Sequence, residues 1–344
     1  MAQHPRPAAR RAFGLRPGLP LVLAGSVLAV VTAWIALAIG GPHITDAVDD
    51  GSTAAAAALA AGCCAGAATR NVGRLRRFWI LMALAALAWT LGEVTWAGYD
   101  LGSTESVPSP SFADIGYLAA IPLAVAALLV HPAERQPAST RVRAVLDGAS
   151  VAVALLLLSW LFILQPSWVG ARGVSAVSRI VTLAYPVGDV VILFLLFRML
   201  HSLDGAARDH LRWIVAGLSA MAISDSGYSY LSGVRGYQTG HILDVGWIAG
   251  YLGLAIGGWY GRRAAPLEAR GPATDPSALA LLAPYAPLLV ALIVIAVRDA
   301  THEPIDATSR VFALALVALV LARQAVSAMG LPGLHGRPHA RGLQ

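Results

Sequence analysis

Six carboxylates stand within or at the edge of strongly apolar stretches of this chain: Glu93, Asp114, Asp147, Asp189, Asp225 and Asp244. A charge at the centre of a membrane helix costs about 2.5–3.5 kcal/mol on insertion scales, so such groups face a bundle interior or a wet cavity rather than lipid. Four of the six have an aromatic residue three positions later: Glu93 with Trp96, Asp114 with Tyr117, Asp225 with Tyr228, and Asp244 with Trp247. That spacing puts each pair on one face of a helix. Three of the aromatics directly follow a glycine, Gly116, Gly227 or Gly246. Asp189 is different, closing the run Tyr185-Pro186-Val187-Gly188-Asp189 near the middle of its stretch. A proline there frees a backbone carbonyl and opens a kink. Asp147 begins its stretch beside Arg141 and Arg143 and reads as a boundary residue that pairs with one of them. The candidate ligand-binding set is therefore Glu93, Trp96, Asp114, Tyr117, Tyr185, Asp189, Asp225, Tyr228, Asp244 and Trp247.

Three kinds of chemistry suit that set. Carboxylates walled by aromatic rings can bind a cation or an amine, the rings adding cation–π attraction. The same groups can hold a bundle together through interhelical hydrogen bonds, worth about 0.6–2 kcal/mol each. They can also sit solvated at helix ends, where Trp and Tyr gather for physical reasons and where Asp114 and Asp244 would suit the helix dipole. Catalysis is a poorer fit, and no catalytic residue, metal ligand or cofactor is assigned. Tyr99-Asp100 and Gly188-Asp189 distantly parallel the paired aspartates of intramembrane proteases, but Pro186 replaces that motif's first Gly, and Asp100 lies at an outer edge. Ser224 and Ser226 have only His241 as a prospective base. No phosphate-binding loop and no H-E-x-x-H pattern occurs. Cys63 and Cys64, adjacent in an Ala-rich run, read as small packing residues.

The elements that must position these residues follow from composition. Of 344 residues, 57% are hydrophobic and 13% charged, with mean hydropathy +0.66; a soluble domain carries about 25% charged residues. Those figures exclude a disordered chain, a disulfide scaffold and most soluble enzymes. Ten apolar stretches approach the roughly 20 residues that span a bilayer: 19–41, 52–69, 78–99, 112–131, 145–165, 177–200, 211–231, 240–260, 281–298 and 309–329. The fold class expected is all-α, a polytopic integral membrane bundle of about ten transmembrane helices. All 25 basic residues are Arg, and 20 of them fall in alternate loops on one side. Only Arg172, Arg179, Arg235, Arg298 and Arg310 fall on the other. By the positive-inside rule both termini are cytoplasmic. The net charge of +6 then reports topology in a bacterial plasma membrane, and the partner it implies is a lipid bilayer, not nucleic acid. Asp46, Asp49, Asp50, Asp100, Glu105, Asp299, Glu303 and Asp306 are expected in outer loops. Arg10-Arg11 before the first stretch loosely parallels a twin-arginine signal, but that stretch exceeds the roughly 7–15 residues of a signal-peptide core, so an uncleaved first helix is expected.

The acid–aromatic pairs also expose an internal repeat. Glu93 and Trp96 recur as Asp225 and Tyr228 at one shared offset, and Asp114 and Tyr117 recur as Asp244 and Trp247 at nearly the same one. Helices 3 and 4 thus match helices 7 and 8 in a parallel repeat. The expected organisation is a basic segment 1–18, two accessory helices over 19–69, a six-helix module over 78–260, two further helices over 281–329 and a tail 330–344.

Several runs carry a family resemblance: Pro108-Ser109-Pro110-Ser111-Phe112-Ala113-Asp114-Ile115-Gly116-Tyr117, Leu146-Asp147-Gly148, Tyr185-Pro186 with Asp189, Asp225 with Tyr228, and Gly240 to Trp247. Their succession resembles the multi-helix N-terminal membrane module of actinobacterial signalling proteins, over roughly Phe78 to Trp259, about half the chain. In that family the module precedes GGDEF diguanylate cyclase, EAL phosphodiesterase or histidine kinase domains. The resemblance implies a sensory module binding a small ligand or cation from the outer side. Here two more helices follow and no GGDEF or EAL motif occurs, so neither activity carries over and output would pass through a separate signalling protein or a second copy. A small secondary transporter with an intramembrane acidic site is the rival reading, and a structural or partner-binding membrane protein the third.

Overall fold

The computed structural model describes residues 18–102, 107–108, 110–132, 138–161, 165, 175–200, 209–234, 237–262, 286–301 and 305–329. Ten long helices run through them: α1 (Leu19–Leu37), α2 (Pro42–Ala68), α3 (Gly73–Gly102), α4 (Ala113–Val130), α5 (Ala138–Ser159), α6 (Ala176–Leu200), α7 (Asp209–Val234), α8 (Asp244–Gly261), α9 (Ala286–Ala300) and α10 (Ala307–Met329). No strand occurs among the described residues. Five helices, α1 to α4 and α10, are long and apolar enough to cross a membrane. Their outward faces are what lipid requires. On α3 the exposed Leu84, Leu87, Leu91 and Val94 follow a helical stripe, an arrangement water would oppose. The chain is a helical membrane protein by these features.

The ten stretches read from the sequence correspond to the ten helices, but they are not equally apolar. α8 is glycine-rich and buried along most of its length, so its surface meets other helices rather than lipid. α5 and α6 contain only shorter apolar runs, Val145–Ser159 and Ala184–Leu196. The second helix is also longer than the sequence indicates, starting at Pro42 rather than 52. Pro is suited to the first helical position, and the left-handed Gly41 (φ 85°) turns the chain into it. Asp46, Asp49 and Asp50 therefore lie in α2, and Asp100 and Asp299 in the last turns of α3 and α9, not in loops. Glu105, Glu303, Arg172 and Arg235, expected in outer loops, lie outside the described residues.

Two apolar cores organise the bundle. The larger joins α1 to α4 with α6, α7 and α8. A smaller one joins α5 to α9 and α10, where Arg323 donates to Asp147 at 3.0 Å. This contact between distant helices takes the place expected of Arg143, while the Arg141 side chain lies outside the described residues. Trp160 donates its indole N–H to Asp306 at 2.9 Å, and Ser309 donates its backbone N–H to the same carboxylate at 3.1 Å, capping α10. α2, set apart as accessory in the sequence reading, packs against both α3 and α8.

Close helix approach rests on glycines. A methyl group at Gly116 would stand 2.6 Å from the Ala88 carbonyl oxygen and 2.7 Å from the Gly92 nitrogen. One at Gly253 would stand 2.7 Å from the Gly217 Cα. Helix backbones thus touch at α3–α4 and again at α7–α8, as small residues permit in membranes. The backbone of the free cysteines Cys63 and Cys64 lies against Gly258, and the Cys64 thiol is 4.0 Å from the Leu254 carbonyl.

Candidate functional site

The five candidate acids do not scatter; they meet at one end of the larger core. Glu93 on α3 accepts from Tyr117 Oη at 3.1 Å (α4) and from Tyr251 Oη at 2.7 Å (α8). Asp225 on α7 accepts from Trp247 Nε1 at 2.7 Å (α8). Tyr185 on α6 donates to Asp114 on α4. Asp225 is the charged group that acts on Asp189 of α6, whose Oδ2 has no hydrogen-bond partner among the described residues. Asp244 is 1% exposed, and the charge of Asp49 on α2 acts on it, with Asp49 Oδ1 lacking a hydrogen-bond partner among the described residues. Around them the rings of Trp96 and Tyr228 meet at 6.4 Å, Tyr228 and Trp247 at 6.0 Å, and Tyr117 and Tyr185 at 6.5 Å. All ten residues of the candidate set take part in this network.

Local structure explains the placement. Asp114 accepts the Ser111 backbone N–H at 2.6 Å, and Asp244 accepts that of His241 at 2.7 Å. Each carboxylate thereby fixes the turn that starts its helix, near the positive end of the dipole. Ser111 and Asp114 stand at the same sequence offset from His241 and Asp244 as Tyr117 does from Trp247, and Tyr117 and Trp247 are the donors to Glu93 and Asp225. These two bonds recur in both helix pairs, while Glu93 alone has the further donor Tyr251. Gly240 (φ 81°) supplies the turn before α8 and donates its N–H to Asp49 at 2.9 Å. A side chain there would be strained by the left-handed backbone and would crowd Thr45 and Asp46.

Four contributors were missing from the sequence-derived set: Asp49, Asp50, Tyr237 and Tyr251. Tyr237 donates to Asp244 at 2.7 Å. Burial first, then the Asp244 charge, pushes its phenol ionisation upward, so it stays a donor. Asp50 is 7% exposed, and its Oδ2 has no hydrogen-bond partner among the described residues. The charged groups that act most on it are Asp100, Asp49, Glu93 and Asp46, all acids. No ion pair with an arginine forms at these carboxylates among the described residues. No group of three or more His, Cys, Asp or Glu among them is arranged to hold a metal ion.

The opposite end of the core carries the basic groups. Arg74 donates to the Val130 carbonyl at 3.1 Å, and Arg262 stacks over Trp259 at 5.4 Å. Between them His131 and His210 are buried with their Nε2 atoms 3.5 Å apart, against Phe78 and Trp79. The hydrolytic constellations do not assemble. Asp225, not Asp100, is the charged group that acts on Asp189. Ser224 Oγ donates to the Leu243 carbonyl at 2.6 Å, while His241 Nδ1 accepts from the Leu243 N–H at 3.2 Å.

No family model, curated protein sequence or solved structure matches this chain.

Proposed function

We propose that this chain is a sensory or signalling-type membrane protein that binds a small cationic ligand from the outer side and acts through a separate partner or a second copy of itself. One observation carries the reading: acids and aromatic rings from α3, α4, α6, α7 and α8 meet in one arginine-free network. Buried carboxylates without basic partners attract positive charge, and the rings favour an organic cation over a bare ion. Ten spans with cytoplasmic ends would place the acids outside and Arg74 and Arg262 inside. The equivalent bonds in the two helix pairs support an ancestral duplication of α3–α4 as α7–α8. The signalling class rests on the resemblance of the Phe78–Trp259 region to actinobacterial sensor modules.

The test is a thermal-shift screen of the full chain in detergent with organic cations, together with recovery of co-purifying proteins. Cation-dependent stabilisation that Asp225→Asn and Asp244→Asn abolish supports the reading. Unchanged shifts and unchanged partners in both variants would leave the acids as bundle-holding groups only.

A transport reading draws on α6, where Pro186 is buried inside the helix and Asp189 follows. Broken helices with midplane acids are the usual apparatus of secondary carriers. Reconstituted liposomes would show cation- or proton-driven flux under that reading and none under the first.

A further inference from the structure

We propose that the start of α3 is a binding surface for an anionic phospholipid, with Arg76 and Arg77 holding the phosphate and one acyl chain lying along the apolar stripe that continues from them. This surface is at the other end of the bundle from the acidic network and is independent of the cation reading.

Arg70, Arg74, Arg76 and Arg77 crowd the turn between α2 and α3 and the first turns of α3, and all four are exposed. None of them forms an ion pair among the described residues. Arg74 is tied to the Val130 carbonyl at 3.1 Å, while the guanidinium groups of Arg76 and Arg77 have no hydrogen-bond partner there. α3 has no acid in its first turn, unlike α4 and α8, which begin with Asp114 and Asp244. Like charges three and four positions apart repel, and the positive end of the helix dipole adds to them. The patch is also held in place. Asn71 donates to the Ala67 carbonyl at 2.8 Å and to the Gly261 carbonyl at 2.9 Å, which ties the turn to the ends of α2 and α8. A fixed cluster of unpaired arginines calls for an anion, and the planar guanidinium offers phosphate two parallel donors.

The surface below the arginines selects the kind of anion. By helical periodicity Arg76 shares a face of α3 with Ile80, Leu84, Leu87 and Leu91, all exposed. At about 1.5 Å per residue, the run from Ile80 to Leu91 is about 16 Å long. That is about the depth of one leaflet of a roughly 30 Å hydrocarbon core. A free phosphate meets the arginines alone, whereas a phospholipid meets the arginines and the stripe together. A zwitterionic lipid brings an ammonium that this patch repels, so the fitting partner has a net negative headgroup, as in phosphatidylglycerol.

The experiment is thermal unfolding of the full chain in a neutral detergent. It is run with dioleoyl phosphatidylglycerol, with dioleoyl phosphatidylcholine, and with glycerol phosphate as a headgroup without chains. The expected result is a midpoint raised by phosphatidylglycerol well beyond the other two, and a loss of that excess at high salt. An arginine near an anionic surface raises affinity roughly fivefold, so Arg76→Gln/Arg77→Gln should weaken phosphatidylglycerol about 25-fold and remove most of its shift. Arg310→Gln, an exposed arginine on α10, removes one charge elsewhere and should leave the shift in place. Equal shifts from the two lipids overturn headgroup recognition. A glycerol phosphate shift as large as that of the lipid overturns the lipid as partner and assigns a soluble anion. A full phosphatidylglycerol shift in the double variant overturns the location. Where the double variant fails to fold, a lipid excess that survives high salt on the natural chain overturns the ionic contact.

Discussion

Trp96 and Tyr228 occupy matching positions of two helix pairs, and their rings meet edge to face at 6.4 Å. Glu93 and Asp225, one turn away from these rings, accept from Tyr117 and Trp247 on neighbouring helices. The acids are therefore brought together by the way the two pairs of helices face each other, rather than by any single segment.

Matching donors have matching roles, and their removal reads this out. Tyr117→Phe and Trp247→Phe are each expected to cost about 0.6–1.7 kcal/mol, the span measured for hydrogen bonds in membrane bundles. Glu93 keeps Tyr251 when Tyr117 is lost. The double variant Tyr117→Phe/Tyr251→Phe should therefore lower the thermal midpoint by more than the sum of the singles. Additive losses would mean that Glu93 does not depend on the two phenols jointly.

Backbone contact at the glycines gives a second prediction. Gly116→Ala and Gly253→Ala force a methyl into the backbone of the facing helix and should destabilise by about 1–3 kcal/mol. Gly98 lies in α3, and no atom stands within 4 Å of where its methyl would go. Gly98→Ala should be neutral or stabilising by up to about 1 kcal/mol through the better helix propensity. Thermal unfolding in detergent separates the two classes.

The histidine pair at the basic end predicts a pH dependence. Burial first, then the neighbouring His210, lowers His131 to about 3, against an ordinary value of about 6.5. Below about 6.5 the unfolded chain takes up a proton that the folded chain refuses. Stability from this site is therefore full above that pH and falls steadily as pH drops toward about 3. His131→Phe should flatten the slope of the thermal midpoint between pH 4.5 and 6.5, while an unchanged slope would assign it to other groups.

Sidedness can be read by labelling in a Cys63→Ala/Cys64→Ala background. Val72, 84% exposed between α2 and α3, and Phe112, 72% exposed before α4, lie at opposite ends of the bundle. In intact cells an impermeant maleimide should label Phe112→Cys and not Val72→Cys. The reverse pattern would invert the topology.

Much of this arrangement was legible in the residues. Ten helices follow from periodicity; the partners of the acids do not, because Glu93 and Asp225 accept from aromatics on neighbouring helices rather than from Trp96 and Tyr228 on their own. Asp49 and Asp50 were not legible, because the polar first turns of α2 read as loop beside the apolar stretch that follows. Tyr251 could have been found: Asp244, Trp247 and Tyr251 fall at i, i+3 and i+7, one face of α8. Tyr237 could not, since a loop carries no period. The grouping of α5 with α9 and α10 rests on contacts between distant segments, such as Arg323 with Asp147, which no local pattern encodes.

Whether the two helix pairs bring their acids and rings to one outward-facing site is tested most directly by Trp96→Cys/Tyr228→Cys in the Cys-free background. Intact cells carrying that variant are treated with a short, impermeant thiol cross-linker. The predicted result is an intramolecular cross-link between the two positions without lysis. Labelling of each single cysteine without any cross-link in the pair, or a cross-link that forms only after lysis, would contradict such a site.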